Sequence, residues 1–378
     1  MDWEHTGPRP DPAVKPNLNA AGSYVHPVTR STEISSDSRS AGFRRRRRIL
    51  AWLLVSAAAA ATLSLGWLLP DIGDAGKGIG LVNWLSFAIR AFTPHSGIIL
   101  LLLLLPFAAA RAWRPAGALA VLGAVCVLPL LGMGRGAAVS PSGNAPSLTV
   151  MTVNVMYGRV RDADLLAEID RHAPDVVMVQ EYTPAVHMRI FDAMAARLPH
   201  SSIETRDDAY GMALFSKLPF IETPVSYPSF PTDGGAFQPT EPQIRAVVRV
   251  GNREVVVQGV HTLPAISPSY LAEQRELCRA LAAYALIEPR NLVLAGDFNH
   301  TPASMPAAWL RDAGLVDTHA VAGTGRGLTW PAEGLLQRLA GFRLDQVLIS
   351  EGLSCGWCRV GNDVGSDHRP VIVRIVLR

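Results

Sequence analysis

The sequence predicts a mixed α/β domain of about 230 residues that follows an apolar N-terminal region. From Ser147 onward, short runs rich in β-branched residues alternate with helical patterns, and turns that contain Pro or Gly separate them. Nearly all of the excess hydrophobicity lies earlier, between Ile49 and Met133. We therefore divide the chain into a tail (residues 1–43), a membrane region (44–134), a linker (135–146) and the α/β domain (147–378).

The tail and the α/β domain differ in composition and charge. The first 43 residues are rich in Pro, Ser and Asn, and they show no apolar periodicity, so we expect them to be disordered. From Pro141 onward the chain holds 21 Lys and Arg against 25 Asp and Glu. Proteins that bind duplex nucleic acid usually carry a basic face, so this mildly acidic balance lowers the expectation of a DNA substrate.

Three apolar segments are predicted to cross a membrane. Ile49–Leu69 has 21 residues without a charge, and about 20 helical residues cross a hydrocarbon core about 30 Å thick. Thr93–Ala110 follows as the second span, with Thr93 expected as its N-cap and Pro94 as its first helical residue. The third span, Ala116–Met133, is rich in Gly and Ala, which suits close packing between helices in lipid.

Basic residues predict the orientation of these spans. Arg44–Arg48 precede the first span, and Arg111 and Arg114 link the second to the third, so the positive-inside rule places both groups in the cytoplasm. Three crossings then put the α/β domain outside the cytoplasm. Leu81–Phe92 has one apolar face, which predicts either an interfacial helix or an extension of the second span.

Cys355 and Cys358 form a C-x-x-C pair. The sequence has no second pair that would complete four zinc ligands, and no βαβ unit begins at this position. We interpret the pair as structural, either a disulfide or two free thiols. Export favours the disulfide, because disulfides persist outside the cytoplasm.

Polar residues suited to divalent-metal phosphate chemistry recur at the ends of the predicted strands. They are Asn154 in TVNV, Glu181 in PDVVMVQE, His261 in GVHTLP, Asp297 and Asn299 in LAGDFN, Asp345 in RLDQVLIS, and Asp367 and His368 in GSDHRP. Each residue alone is explained equally well as a solvated carboxylate, a structural histidine or an Asx turn. The complete set in this order is a far stronger signal.

The ordered set resembles the endonuclease/exonuclease/phosphatase superfamily over about residues 147–378. The resemblance implies a four-layer α/β sandwich, in which two packed β-sheets are flanked by helices and the site lies at one rim. It also implies hydrolysis of a phosphoric ester or diphosphate with Mg²⁺ or Mn²⁺. One metal ion acting as a Lewis acid on the phosphoryl oxygen is the simplest mechanism, with a second ion as the alternative.

The resemblance also implies a role for each matched residue. Glu181 would be the main metal ligand, and Asn154 and Asp367 would complete the metal site or hold its waters. Asp297 would orient or deprotonate the attacking water, and Asn299 would donate a hydrogen bond to a phosphate oxygen.

The resemblance implies that two histidines complete the site. Asp345 would fix the tautomer of His368, whose imidazole would stabilise the pentacovalent phosphorane or act as a general base. His261 would contact the scissile phosphate or protonate the leaving oxygen. Met156 stands where abasic-site repair nucleases carry Asp, and the two histidines are instead similar to those of secreted deoxyribonucleases, sphingomyelinases and inositol-phosphate phosphatases.

Three other residues allow two interpretations each. Thr329 and Trp330 match a recurrent element of the superfamily, but a packing role explains them equally well. Arg245 either reaches a phosphate or lies at a strand edge.

Three spans followed by such a domain resemble the VanJ-type teicoplanin-resistance proteins of actinobacteria. That resemblance implies a membrane or phosphorylated lipid as partner and undecaprenyl pyrophosphate as the substrate that is dephosphorylated. One alternative is a surface-anchored nuclease, which the two histidines favour and the acidic balance opposes. A non-catalytic binding domain of the same fold is a further alternative, and the complete set of site residues argues against it.

Overall fold

The computed structural model describes residues 36–61, 77–132, 145–232, 234–334, 337 and 341–377. The described residues of the N-terminal region form four helices. They are α1 (Ser36–Ala60), α2 (Lys77–Leu102), α3 (Leu104–Ala109) and α4 (Trp113–Gly132). Helix α1 begins inside the predicted tail. The first 35 residues of that tail, the end of the first predicted span and most of the linker lie outside the described residues.

Within the described ranges, one helical segment is long and apolar enough to cross a membrane. It runs from Gly80 to Ala109, and an 18-residue stretch within it has a mean hydropathy of 1.8 and is 22% buried. Trp113–Val127 is apolar but shorter. The described residues therefore provide one candidate span, and the arrangement of three spans stays a prediction.

The start of the second apolar segment differs from the prediction. Helix α2 begins at Lys77 and includes Pro94 in its interior, so Thr93 is not an N-cap. The Thr93 hydroxyl instead donates to the carbonyl of Ile89 (2.8 Å), the usual bond of a threonine inside a helix. The apolar face of Leu81–Phe92 continues into the span, and this continuity outweighs the local preference of Pro for the first turn.

Helices α2 and α4 approach each other closely at two glycines. A Cβ atom on Gly97 would lie 2.7 Å from the Cβ of Cys126, and one on Gly123 would lie 2.8 Å from Cγ of Leu101. No side chain fits at either position without a shift of the helices. The expected close packing of the Gly- and Ala-rich segment is confirmed, and Cys126 is a buried filler of this contact.

The α/β domain contains thirteen strands and five α-helices in its described residues. The strands are β1 (Ser147–Asn154), β2 (Val176–Gln180), β3 (His200–Glu204), β4 (Met212–Ser216), β5 (Phe230–Thr232), β6 (Gly235–Phe237), β7 (Arg245–Val250), β8 (Arg253–His261), β9 (Asn291–Asp297), β10 (Val316–Asp317), β11 (Asp345–Ile349), β12 (Leu353–Val360) and β13 (Val371–Leu377). The helices are α5 (Asp162–His172), α6 (Pro184–Ala195), α7 (Pro268–Ile287), α8 (Met305–Asp312) and α9 (Thr318–Ala322).

Two mixed sheets form the centre of this domain. The first has the order β12-β13-β1-β2-β4-β3, the second has the order β10-β11-β9-β8-β7, and β5 and β6 form a separate hairpin. Apolar side chains of both sheets, such as Met178 and Val257, form one core between them. A second core lies under α5 and α6, and a third lies under α7 and α8. The predicted four-layer α/β sandwich is confirmed.

Strand direction gathers the predicted site residues at one edge. Strands β1 and β2 are parallel, as are β8 and β9, so their carboxyl ends meet at that edge. Strands β11 and β13 run antiparallel to β9 and β1 and therefore begin there. His261 and Asp345 both pair with Asp297 in register.

The C-x-x-C pair lies in β12, and both thiols are free. A β-bulge between Cys355 and Trp357 shifts the register, so Cys355 and Cys358 both join the core between the sheets. Burial raises the pKa of the Cys358 thiol to about 12. The predicted disulfide is wrong, and the alternative of two free thiols agrees with the structure.

Candidate active site

Asn154 and Glu181 form one corner of the site. Asn154 Nδ2 donates to Glu181 Oε1 (2.9 Å) and to Asp297 Oδ2 (3.2 Å), and its Oδ1 accepts from the amide of Met156 (2.9 Å). These partners allow only one orientation of the amide. Glu181 has a left-handed backbone (φ 59°), a conformation that is uncommon for residues other than glycine and is found often at functional sites.

The second carboxylate oxygen of Glu181, Oε2, is buried and has no hydrogen-bond donor. Burial raises the pKa of Glu181 to about 7; the carboxylates of Asp297 and Asp367 add to the rise, and Asn154 and His368 oppose it. A buried carboxylate oxygen without a partner destabilises the site unless a cation or ligand supplies one.

Asp297 lies between this corner and the two histidines. Its Oδ1 accepts from the amide of Asn299 (2.9 Å). Its Oδ2 is 3.7 Å from Nε2 of His368 and 3.9 Å from Nε2 of His261. These distances are too long for hydrogen bonds, so a water or a phosphate oxygen can bridge the groups.

The glycine that precedes Asp297 is required by the strand pairing. A Cβ atom on Gly296 would lie 1.7 Å from the carbonyl oxygen of Val260 on the neighbouring strand. Any side chain would separate β8 from β9. Gly296 therefore keeps His261 and Asp297 at the same level of the sheet edge.

Asp345 and His368 form a buried pair on the other side of Asp297. His368 Nδ1 donates to Asp345 Oδ2 across 2.8 Å. Burial opposes a charge on His368, but Asp345 and Asp297 outweigh that effect and raise its pKa to about 10. The imidazole is therefore protonated at neutral pH, when no ligand is bound.

His261 is held through its backbone. Its amide donates to Gln243 Oε1 (2.9 Å), and Gln243 Nε2 donates to its carbonyl (2.9 Å). Burial lowers the pKa of His261, against the attraction of Asp297, so this imidazole is neutral at pH 7. The site thus pairs one neutral and one protonated imidazole.

Asn299 and Asp367 lie at the border of the site. Asn299 has a left-handed backbone (φ 48°), and one amide hydrogen of its side chain bonds the carbonyl of Thr262 (2.8 Å). The other amide hydrogen can point to a ligand. Asp367 Oδ2 accepts from Nε1 of Trp330 (3.1 Å). The structure thus brings all eight predicted residues to one edge.

Residues that support the site were not assigned a role from the sequence. The Ser366 hydroxyl donates to the carbonyl of Asn154 (2.7 Å) and accepts from the amide of His368 (3.1 Å). Thr329 Oγ1 accepts from the amides of Leu344 (3.1 Å) and Asp345 (3.2 Å). Both act on the backbone, and the only sequence signals were their places in GSDH and GLTW.

Arg245 does not belong to the site. It begins β7, and its guanidinium bonds the hydroxyl of Tyr284 (3.0 Å) and the carboxylate of Glu222 (3.3 Å). The interpretation of Arg245 as a phosphate ligand is wrong, and the alternative of a strand-edge position is correct.

Two groups of residues could hold a cation. Donor atoms of Asp297, Asp345 and His368 lie within 4.8 Å of one another. In that group, however, His368 already bonds Asp345 and carries a proton at neutral pH, which opposes a second positive charge. The corner of Glu181 and Asn154 fits a hard divalent ion better, because it offers oxygen ligands and a buried carboxylate atom without a partner.

Solved structures with a similar fold come from several organisms. A humanised TDP2 from D. rerio is 17% identical, with a TM-score of 0.48, and covers 61% of this chain and 98% of that chain. The 3′ phosphatase NExo from Neisseria, bound to a product DNA hairpin, is 18% identical, with a TM-score of 0.48. That match covers 60% of this chain and 98% of NExo. An AP endonuclease from Archaeoglobus fulgidus is 18% identical, with a TM-score of 0.48. That match covers 61% of this chain and 99% of the endonuclease.

A sequence search of curated proteins gave no match. A sequence model of the Endonuclease/Exonuclease/phosphatase family, in contrast, matches residues 151–368. The match spans more than half of the chain and contains all eight residues of the site. The chain belongs to the endonuclease/exonuclease/phosphatase family, whose members are hydrolases that act on phosphoester bonds.

Proposed function

We propose that this protein is a membrane-anchored, Mg²⁺-dependent phosphoesterase that removes a phosphate from a lipid pyrophosphate. The observation that carries the proposal is the placement of Asp297 between an unsatisfied carboxylate and a protonated imidazole. A phosphoryl group in this gap meets one site for a cation and one site that is already positive. Both stabilise negative charge that develops in a phosphoryl-transfer transition state.

Glu181 would hold the ion, with Asn154 and Asp367 nearby, and either Mg²⁺ or Mn²⁺ would supply Lewis-acid chemistry there. Asp297 Oδ2 orients a water for attack and accepts its proton, because burial raises the pKa of this carboxyl despite His368 and His261. His368 donates a hydrogen bond to a phosphoryl oxygen, and Asp345 holds its ring in place. Neutral His261 contacts the phosphate, as does the remaining amide hydrogen of Asn299.

The lipid substrate and the membrane anchor are supported by the N-terminal helices. Segment Gly80–Ala109 has the length and hydropathy of a membrane span. The α/β domain has more acidic than basic residues, which favours a small phosphorylated headgroup over a long polyanion. The VanJ-like order of spans and domain makes undecaprenyl pyrophosphate the first substrate to test, and a surface nuclease is the main alternative.

The test compares two substrates with one preparation. The full-length protein in detergent should release phosphate from an isoprenyl pyrophosphate with Mg²⁺, and excess EDTA should abolish the release. Plasmid DNA should stay intact under the same conditions. Nicking of DNA without phosphate release would identify a nuclease, and no reaction with either substrate would favour a binding domain.

A second test addresses the membrane topology. We propose that the N-terminus is cytoplasmic and that the α/β domain is extracytoplasmic, because of Arg44–Arg48, Arg111 and Arg114. A reporter that is active only outside the cytoplasm should function when fused after Arg378. Activity of a cytoplasm-specific reporter at that position would contradict the topology.

A further inference from the structure

One side chain of helix α7 joins the two loops that leave β8 and β9 at the active site. Gln274 lies in the second turn of α7 and is 1% exposed. Four acceptors surround its Nε2, two from each loop. They are Thr262 Oγ1 (3.2 Å), the carbonyl of Leu263 (2.8 Å), the carbonyl of Phe298 (3.4 Å) and the carbonyl of Asn299 (3.1 Å).

The amide group of Gln274 has only two hydrogens for these four acceptors. The two shortest of its bonds to carbonyls reach Leu263 and Asn299, one in each loop, so the side chain bridges the loops. Its Oε1 is buried and receives no hydrogen bond from the described residues. A buried acceptor without a donor is unfavourable. The position thus requires a donor, even though this donor brings an unsatisfied oxygen with it.

The bridge continues the strand pairing past the end of the sheet. The register of β8 and β9 ends at Asp297. Just beyond it, the amide of Thr262 donates to the carbonyl of Asp297 (3.1 Å), and the Thr262 hydroxyl donates to the carbonyl of Phe298 (2.5 Å). The next carbonyl, that of Asn299, is held from α7 by Gln274.

Asn299 is the residue whose conformation this last bond controls. Its backbone is left-handed (φ 48°), which asparagine tolerates but which is less favourable than the right-handed region. The amide of Asn299 donates to Asp297 Oδ1 (2.9 Å), and its carbonyl accepts from Gln274. The peptide groups on both sides of Asn299 are therefore held, which fixes both of its backbone torsions.

A fixed backbone also fixes the direction of the Asn299 side chain. One hydrogen of the side-chain amide bonds the carbonyl of Thr262 (2.8 Å), and the other is left to point to a ligand. If its own carbonyl were released, Asn299 could leave the left-handed region, and its Cβ would then point in another direction. The bond from α7 therefore controls where the free amide hydrogen points.

Helix α7 is a rigid support for this contact. The side chain of Ser267 accepts from the amide of Tyr270 and caps the first turn. Leu277 and Leu281, about one and two turns after Gln274, are buried in the core under the helix. Groups on packed helices are held more precisely than groups on loops alone.

We infer that Gln274 is a positioning residue of the active site, which holds the carbonyl of Asn299 and thereby directs the Asn299 side chain to the phosphoryl group. Gln274 is buried and acts on the substrate only through Asn299. The contact of Asn299 with a phosphate rests on the proposed function, whereas the bond between the two residues does not.

Phosphate binding tests whether the two residues act together. The full-length protein in detergent is mixed with Mg²⁺ and radiolabelled inorganic phosphate, and binding is measured by equilibrium dialysis. Gln274→Met keeps the approximate size of the side chain but has no donor. Asn299→Gly removes the side-chain amide, and glycine tolerates the left-handed backbone.

Each of these variants should weaken phosphate binding about tenfold, as expected for one lost hydrogen bond. The double variant should bind within about twofold of Asn299→Gly, because Gln274 acts through Asn299. Wild-type affinity in Gln274→Met would overturn the inference. A double variant weakened about a hundredfold would overturn it as well, because the two effects would then be independent.

Two further variants separate positioning from stability. Leu281→Ala removes core contacts of α7 but no bond to the loops, so it should lower Tm and leave phosphate binding unchanged. Gln274→Glu keeps the shape, and a buried carboxyl stays protonated and donates one hydrogen. It should weaken binding only about threefold, and it replaces Gln274→Met in the same cycle if that variant does not fold. Equal weakening in Gln274→Met and Leu281→Ala would contradict a positioning role.

Hydrogen exchange measures the link without a ligand. In Gln274→Met the Asn299 amide should exchange at least about tenfold faster than in the wild type, and in Leu281→Ala it should exchange at the wild-type rate. Faster exchange in a protein that binds no phosphate would support the link and overturn the proposed function. Phosphate binding with no change of exchange or affinity in Gln274→Met would support the function and overturn the link.

Discussion

The pair Asp345–His368 and the pair Asn154–Glu181 lie on opposite sides of Asp297, and they differ in how burial affects them. In the first pair a 2.8 Å hydrogen bond joins opposite charges, and the pKa of His368 rises to about 10. In the second pair a neutral amide satisfies only one carboxylate oxygen, and the pKa of Glu181 rises to about 7. The first side already contains its positive charge, and the second side lacks one.

The difference separates two kinds of loss that mutation can cause. Removing His368 deletes a charge that the protein itself provides, so no ion in solution can replace it. Weakening Glu181 lowers the affinity for an ion, and a higher concentration of that ion compensates by mass action. Variants of His368 and of Glu181 therefore separate the two sides.

The largest effect is expected for His368→Ala. It should lower kcat about 10² to 10⁴-fold, the usual range for a general acid, base or oxyanion donor, and Mg²⁺ should not restore it. Asp345→Asn should behave in the same way, because the imidazole loses its orienting carboxylate. The measurement is phosphate release as a function of Mg²⁺ concentration.

A second histidine–carboxylate pair provides the control for that variant. His172 Nε2 lies 3.3 Å from Oε2 of buried Glu168, away from the strand ends that form the site. His172→Ala should retain kcat within about twofold, since it touches no site residue. Near-wild-type kcat in His368→Ala would disprove the role assigned to the imidazole.

A smaller effect is expected for Glu181→Gln. Loss of the carboxylate charge should raise the Mg²⁺ concentration needed for half-maximal activity by about 10 to 100-fold, with most of kcat recovered at saturation. Glu351→Gln, in an exposed turn, serves as the control. A Mg²⁺ requirement equal to that of the wild type would place the ion elsewhere, with the group of Asp297, Asp345 and His368 as the next candidate.

The raised pKa of Glu181 predicts how Mg²⁺ stabilises the protein at different pH. Without metal, a carboxyl whose pKa rises from 4.5 to about 7 gives stability that is full below pH 4.5 and is lost as pH rises through 7. A cation on the carboxylate offsets that loss. The increase in Tm caused by Mg²⁺ should therefore grow between pH 4.5 and about 7 and level off above it.

Thermal unfolding in detergent, with Mg²⁺ and with EDTA, measures this increase on both sides of pH 7. Between pH 4.5 and about 7 the apparent affinity for Mg²⁺ should increase about tenfold per pH unit, because one proton competes with one ion for Glu181. Glu181→Gln is the control, since it has no proton to release. A Mg²⁺ effect that stays constant across the window would contradict the pKa assigned to this corner.

The smallest effect is expected from reductant. Cys355 and Cys358 are free thiols within the core between the sheets, so reductant should change neither activity nor Tm. Alkylation after unfolding, in protein isolated without reductant, should modify both thiols as seen by mass spectrometry. A mass that corresponds to a bond between them would restore the disulfide that the structure contradicts.

The sequence predicts long, fully buried strands better than short or exposed ones. Strands β2 (Val176–Gln180) and β4 (Met212–Ser216) are of the first kind, because they are fully buried apolar runs between turns. The strand pattern does not predict β3, β5, β6, β10 and β12, and β5 and β6 have only three residues each. Strand β3 is partly exposed and polar, β10 has two residues, and the bulge at Gly356 interrupts the pattern of β12.

The eight polar residues of the site could be found because each follows or precedes an apolar strand, and because parallel pairing brings such ends together. The supporting contacts of Gln243, Thr329 and Ser366 could not be predicted. Apart from the bond between Ser366 and His368, these contacts reach backbone atoms of residues between 15 and 212 positions away. Only the three-dimensional pairing of strands shows which backbone groups they reach. The bond from Trp84 Nε1 on α2 to the carbonyl of Ala265 (2.7 Å), in the loop after His261, was unpredictable for the same reason.

Ser366 links the two sides that the mutations above treat separately. Its hydroxyl donates to the carbonyl of Asn154 and accepts from the amide of His368, so one oxygen atom ties the end of β1 to the start of the turn before β13. The geometry of the metal corner and the position of the imidazole are therefore mechanically coupled. We therefore expect a sequence change that shifts Asn154 at the end of β1 to shift His368 as well.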